Sequence, residues 1–152
     1  MRVRELMNRN LVTVAESSSC YEAVKRMHRA RVRHLPVLSD DGRLVGVVTD
    51  RDLRHYLFRP HVSDGIGATS IELLLKAVTV DEIMSAPVLT VDAADEMTDA
   101  ARIMLEDKVG SLPVTEGGRL VGIITETDVL REICRADAAC SPEVTDIVVS
   151  HR

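Results

Sequence analysis

Arg43-Leu44-Val45-Gly46-Val47-Val48-Thr49-Asp50-Arg51-Asp52 returns 76 positions later as Arg119-Leu120-Val121-Gly122-Ile123-Ile124-Thr125-Glu126-Thr127-Asp128. Each stretch is an apolar run that ends in Thr-x-x-Asp, so a strand hands over directly to a helix. Upstream the two copies run together at an offset of 77. Val3–Val37 lies on Val80–Val114 without a gap, and 11 of those 35 positions are identical. Val3-x-Glu5-x-Met7 matches Val80-x-Glu82-x-Met84, Thr13-Val14 matches Thr90-Val91, and Leu35-Pro36-Val37 matches Leu112-Pro113-Val114. The chain is an internal duplication, and each copy has to be read as one structural unit.

Within a copy the patterns predict strand, helix, strand, strand, helix. A short strand near Leu11–Val14 precedes Ser19-x-x-Glu22, which has capping-box spacing. Cys20, Ala23, Val24, Met27 and Ala30 then recur at helical spacing, as do Met97, Ala100, Ala101 and Met104 in the second copy. Leu35–Leu38 and Leu44–Val48 form a hairpin around Ser39-Asp40-Asp41-Gly42, replaced in the second copy by Thr115-Glu116-Gly117-Gly118. The closing helices run from about Asp50 to Leu57 and from Glu126 to Cys134. The expected division is residues 1–58, a linker at 59–79 with a short helix opened by Thr69-x-x-Glu72, residues 80–136, and a tail at 137–152. Gly65-Ile66-Gly67 in the linker is too short for a phosphate loop. In the tail, Ile147-Val148-Val149 reads equally as a strand or a contact surface. A repeat of this size is marginal alone, so two copies are expected to pack about a pseudo-twofold axis in a mixed α/β (α+β) fold, with clefts in pairs.

Composition narrows the function. One Phe, two Tyr and no Trp leave no aromatic platform for single-stranded nucleic acid. A net charge of −5 argues against general DNA or RNA binding. Seven of the ten residues from Lys25 to His34 are Lys, Arg or His, but Lys25, Arg26, His28, Arg29 and Arg31 fall on the polar side of a helix and read as solvated charges. Cys20, Cys134 and Cys140 make no disulfide framework or C-x-x-C pair, and the histidines show no metal-ligand spacing. No stretch approaches a membrane span and the N-terminus has no signal-peptide core, so a cytoplasmic location is expected. No nucleophile set, metal cluster or glycine-rich phosphate loop points to an enzyme, and no catalytic residue is assigned.

Thr-x-x-Asp has two readings. It is a capping-box pattern that closes a helix N-terminus, and it also places a hydroxyl and a carboxylate where free backbone N–H groups attract an anion. One copy alone leaves the two open.

The same residues resemble the CBS domain pattern: V-x-E-x-M followed by T-V, an amphipathic helix, L-P-V, and R-L-V-G leading to T-x-x-D, twice and in order. Two such units resemble the pair often called a Bateman module, and the resemblance covers roughly Val3–Phe58 and Val80–Ala136. It implies a stand-alone regulatory module, not an enzyme, that binds AMP, ADP or ATP as a regulatory ligand, or else S-adenosylmethionine or NAD. By resemblance, Asp52 and Asp128 would accept the ribose hydroxyls, and Thr49 and Thr125 would reach the phosphate. The two positions before L-P-V often carry phosphate-binding cations in the family; here they are Arg33 and His34 in the first copy but Gly110 and Ser111 in the second. One cleft would then hold Asp52, Thr49, Arg33 and His34, assisted by Arg51, with Val91, Val109 and Gly110 near the base. The other would hold Asp128 and Thr125 with Val14, Val32 and the Arg33 backbone, and lack cations of its own. The first should bind a phosphorylated ligand more tightly. Homodimerisation and an effector protein are also expected; the competing function is a dimeric scaffold with empty clefts.

Overall fold

The computed structural model describes residues 1–59 and 68–137. A four-residue helix, α1 (Val3–Leu6), opens the chain. The first repeat follows as β1 (Val14–Ala15), α2 (Cys20–Ala30), β2 (His34–Leu38), β3 (Leu44–Thr49) and α3 (Asp50–Leu57). Helix α4 (Ala68–Ala77) and a 3-10 turn at Val80–Glu82 lead to β4 (Val91–Asp92), α5 (Met97–Asp107), β5 (Ser111–Glu116), β6 (Arg119–Thr125) and α6 (Glu126–Ala136). Pro60, Ser63-Asp64-Gly65, Gly65-Ile66-Gly67 and the tail with Ile147-Val148-Val149 lie outside the described residues.

Each repeat builds a three-stranded sheet, in the orders β1-β2-β3 and β4-β5-β6. The first pair in each is parallel, Val14 opposite Val37 and Val91 opposite Val114, because a helix crosses over between the strands. The second pair is an antiparallel hairpin, with His34 opposite Thr49 and Ser111 opposite Thr125. Left-handed glycines turn it: Gly42 at φ 83° in one repeat, Gly117 and Gly118 at φ 58° and 79° in the other. The prolines of Leu-Pro-Val sit in the middle strand without cost to pairing. β1 pairs only with Val37 and Leu38, so no strand faces the missing N–H of Pro36.

Three expectations from sequence are adjusted. β1 starts at Val14, not Leu11; Arg26 Nη1 donates to the Thr13 carbonyl at 2.6 Å, which occupies that acceptor outside the sheet. Ala30 is exposed, so the buried stripe of α2 is Cys20, Ala23 and Met27. Ser19 Oγ does accept from the Glu22 N–H at 3.2 Å, but the Glu22 carboxylate turns to Lys25 and Arg26 instead of closing the box. Cys20 is fully buried, and burial raises its thiol pKa to about 11, as befits a small core hydrophobe.

The two cores are built by exchange. Val3 and Met7 at the N-terminus pack with Val91, Leu112, Val114 and Ile124 of the second repeat, while Val80, Ile83 and Met84 pack with Val14, Leu35, Val37 and Val48 of the first. Backbone pairs fix both crossings. Asn8 and Ile123 exchange N–H to carbonyl bonds at 2.8 and 3.0 Å, and Ser85 and Val47 do so at 2.9 and 3.3 Å. The repeat in sequence is therefore not the repeat in space, because each opening segment completes the other copy's core.

Candidate functional site

The strand-to-helix junctions of both repeats open onto one cavity of about 490 Å³, within the usual range for small-molecule sites. Sequence anticipated paired clefts; the structure joins the two Thr-x-x-Asp elements in one continuous space. Thr49, Asp52, Arg33, His34, Arg51, Thr125, Asp128, Val32, Val109 and Gly110 all line it. Val14 and Val91 do not. They are 1% and 2% exposed, each packed in its repeat's core beneath the sheet, because the short parallel strands turn them inward. Asn8, Ser85, Pro87, Val88 and Leu89 line the cavity as well, brought there by the exchanged segments. The Ala86–Pro87 peptide bond is cis.

Both Thr-x-x-Asp elements form complete capping boxes. Asp52 Oδ2 accepts the Thr49 N–H at 2.9 Å, and Thr49 Oγ1 accepts the Asp52 N–H at 3.1 Å. Thr125 and Asp128 repeat the pair at 2.9 and 3.4 Å. The caps leave different remainders. Among the described residues, Asp52 Oδ1 has no hydrogen-bond partner, whereas Asp128 Oδ1 accepts from Arg131 Nη1 at 3.1 Å. The Thr49 hydroxyl proton is likewise uncommitted, whereas Thr125 donates its own to Asp128 Oδ2 at 2.7 Å. The first repeat thus presents a carboxylate oxygen and a hydroxyl donor to the cavity; in the second, internal contacts occupy both.

Charge follows the same asymmetry. Arg54 is paired with Asp50 at 3.0 Å and Arg131 with Asp128 at 3.1 Å. Arg31, Arg33, Arg51 and Lys108 line the cavity with no ion pair among the described residues, and Asp52 and Glu126 line it too. An acidic chain thereby concentrates cations at one concave place, as an anion site requires. Lys108, from the second copy, lines this cavity although the sequence reading named no cation from that copy. Its position at a helix end, two residues before the Gly110-Ser111 pair, hid it.

The two repeats touch at the middle of the site. The Asp50 N–H donates to the Arg33 carbonyl at 3.1 Å, and the Glu126 N–H donates to the Gly110 carbonyl at 3.1 Å, so each copy's pre-Leu-Pro-Val residues lie beside its own helix start. Across the junction, a Cβ at Gly110 would stand 3.2 Å from His34 Cε1. A side chain at Gly110 would have to move the His34 ring by a few tenths of an ångström.

His34 is half-buried, and its Nδ1 is enclosed without a hydrogen-bond partner among the described residues. Burial above all, then the charge of Arg33, lowers its pKa below the ordinary 6.5; Asp50, Glu126 and Asp52 oppose the shift. The native chain therefore holds His34 neutral at pH values where the unfolded chain begins to protonate it. Stability should be complete above the unfolded pKa and fall as pH drops from 6.5 through the lower native value. Urea titrations between pH 7.5 and 5 should show a loss with acidification that is smaller in His34→Gln. An identical loss in the variant would remove His34 from the account.

No helix among the described residues is long and apolar enough to cross a membrane, and no group of three or more His, Cys, Asp or Glu among them is placed to hold a metal ion.

Comparison with known proteins agrees with this architecture. The CBS domain family model matches residues 3–59 and 80–135. An uncharacterised protein of Methanocaldococcus jannaschii, MJ1404, is 33% identical over 133 residues, covering 87% of this chain but only 32% of that longer protein. A CBS domain-containing protein of Dictyostelium discoideum is 33% identical over 129 residues, covering 84% of this chain and 88% of that one. Among solved structures, CBSX2 in complex with AMP superposes with a TM-score of 0.69 at 32% identity, covering 89% of this chain and 97% of that one.

Proposed function

Because this chain belongs to the CBS domain family, as a tandem pair of such domains, we propose that it is a regulatory sensor binding an adenine nucleotide of the AMP, ADP or ATP type in the cavity between its repeats. The observation that carries the proposal is the uncommitted Asp52 Oδ1 beside the uncommitted Thr49 hydroxyl, in a cavity that Arg33 and Arg51 also line. A carboxylate oxygen accepts ribose hydroxyls; a helix N-terminus, a hydroxyl and guanidinium forks receive a phosphate. Val32 and Val109, from opposite repeats, offer apolar surface to a base. The AMP complex of CBSX2 supports the ligand class.

A sensor needs a ligand that prefers one arrangement of the repeats over another. A ligand spanning the cavity touches both repeats and their exchanged segments, so occupancy biases their packing and, through it, contact with an effector protein. Phe58, Leu105, Leu130 and Ile133 stand exposed, which supports self-association as a homodimer. The alternative ligands are S-adenosylmethionine and NAD; the alternative function is a dimeric scaffold whose cavity stays empty.

Titration calorimetry with AMP, ADP, ATP, NAD and S-adenosylmethionine, on samples also sedimented with and without ligand, separates these readings. The proposal expects a dimer and at least one adenine nucleotide binding below millimolar. A dimer that binds none favours the scaffold; a monomer that binds removes the homodimer.

A further inference from the structure

Helices α2 and α5 both end in a residue with left-handed backbone, Arg31 at φ 54° and Lys108 at φ 55°. Among the described residues these are the two non-glycine positions with positive φ. That conformation crowds Cβ against the following carbonyl, and glycine is the usual residue at such a helix end. The turn itself is needed. The N–H groups of Arg31 and Val32 donate to Met27, His28 or both, and those of Lys108 and Val109 donate to Met104. A basic side chain is not needed for it, because backbone groups make all of these bonds.

The same two residues, equivalent in the repeat, line the cavity and have no ion pair among the described residues. A strained backbone kept in both copies at the edge of a site is a reason to look for a role in that site. We propose that Arg31 and Lys108 are anion-binding residues of the cavity, retained at an unfavourable backbone position because their charges hold the phosphate of the bound nucleotide. In the second repeat, where Gly110 and Ser111 bring no charge and Arg131 is held by Asp128, Lys108 is the cation that repeat contributes free. An ammonium is a point charge, whereas a guanidinium is a two-pronged fork, so the second half tolerates more than one phosphate orientation. This assignment rests on the nucleotide reading above and deepens it.

Arg31→Gly and Lys108→Gly test it, with AMP and adenosine as probes. Both variants should melt no lower than the parent, and up to about 4 °C higher, since glycine relieves the left-handed strain. AMP affinity should fall about five- to tenfold in Lys108→Gly, as for loss of a charge-assisted contact, with adenosine affinity changed by less than twofold. Lys108→Arg should restore most of the AMP affinity. A residue that only ends a helix would move the melting temperature and neither affinity, and that result overturns the proposal. An equal loss for AMP and adenosine overturns it too, since the effect would not be on the phosphate. If the parent binds neither probe, the nucleotide reading falls together with this one. If the parent binds both and Lys108→Gly binds as the parent does, only this assignment falls.

Discussion

Asp52→Ala should weaken AMP binding by about 100-fold, while Asp128→Ala should cost less than about tenfold. Two ribose hydroxyls donating to one carboxylate are charge-assisted hydrogen bonds, each typically about 1.5–3 kcal/mol, and water recovers part of that on truncation. A net loss of about 3 kcal/mol corresponds to about two decades in Kd. Asp128 starts from a weaker position because its Oδ1 has to leave Arg131 before it can take a ligand. That pair is solvent-accessible, 54% and 20% exposed, so displacing it costs only about 0.2–1 kcal/mol. The asymmetry is one of degree.

Both substitutions also break a cap. Removing the Asp52 carboxylate leaves the Thr49 N–H without its acceptor, at a cost of about 1 kcal/mol in stability. Asp52→Asn separates the two roles, since an amide oxygen still accepts the Thr49 N–H while the charge that favours ribose is gone. Calorimetry together with thermal melts should show Asn near the parent in melting temperature and about tenfold weaker in AMP affinity. If Thr-x-x-Asp were only a helix cap, Asp52→Ala and Asp128→Ala would lower both melting temperatures alike and leave affinity untouched.

The second large effect concerns the fold. Gly46→Ala should destabilise the protein by about 2–3 kcal/mol, and Gly122→Ala somewhat less. A Cβ at Gly46 would stand 2.7 Å from Met84 Sδ and 2.8 Å from the Ser85 carbonyl oxygen; at Gly122 the corresponding distances are 2.7 Å to Met7 Sδ and 3.0 Å to the Asn8 carbonyl. A methionine tip can swing away. The carbonyls cannot move freely, because Ser85 pairs with Val47 and Asn8 with Ile123 in both directions. Truncating the methionine should therefore not rescue the variant: Gly46→Ala/Met84→Ala should be no more stable than Gly46→Ala in urea titrations. A mild loss that Met84→Ala relieves would mean that the backbone approach is not what requires glycine. The same segments carry Asn8, Ser85 and Pro87 to the cavity, so either glycine variant should also bind AMP more weakly.

The secondary structure was legible because the duplication is. Leu-Pro-Val, the glycine turns and Thr-x-x-Asp each occur twice, so one copy corrects the reading of the other, and the helix and hairpin assignments needed few changes. The exchange of opening segments was not legible, since hydrophobic periodicity describes a segment's own face and not the sheet it packs on. Its one sequence mark was the glycine of Arg-Leu-Val-Gly, buried in a strand that otherwise prefers branched side chains. Val14 and Val91 were placed by resemblance near a base, and their actual neighbours are core residues of the sheet they begin. Arg131 could have been found: it stands one helical turn after Asp128, where the first copy has His55 after Asp52. Lys108 was harder, because charge at a helix end ordinarily belongs to solvent, and only the left-handed backbone in both copies sets it apart.

In the proposed site Asp52 accepts the ribose hydroxyls of a nucleotide held in the cavity. A crystal structure of the protein grown with saturating AMP tests it most directly. The expected density is a nucleotide whose ribose hydroxyls reach Asp52 Oδ1 within hydrogen-bond distance, with the phosphate at Thr49 and Arg33. A structure under those conditions with the cavity empty, or with AMP bound and Asp52 touching only the Thr49 backbone, would contradict it.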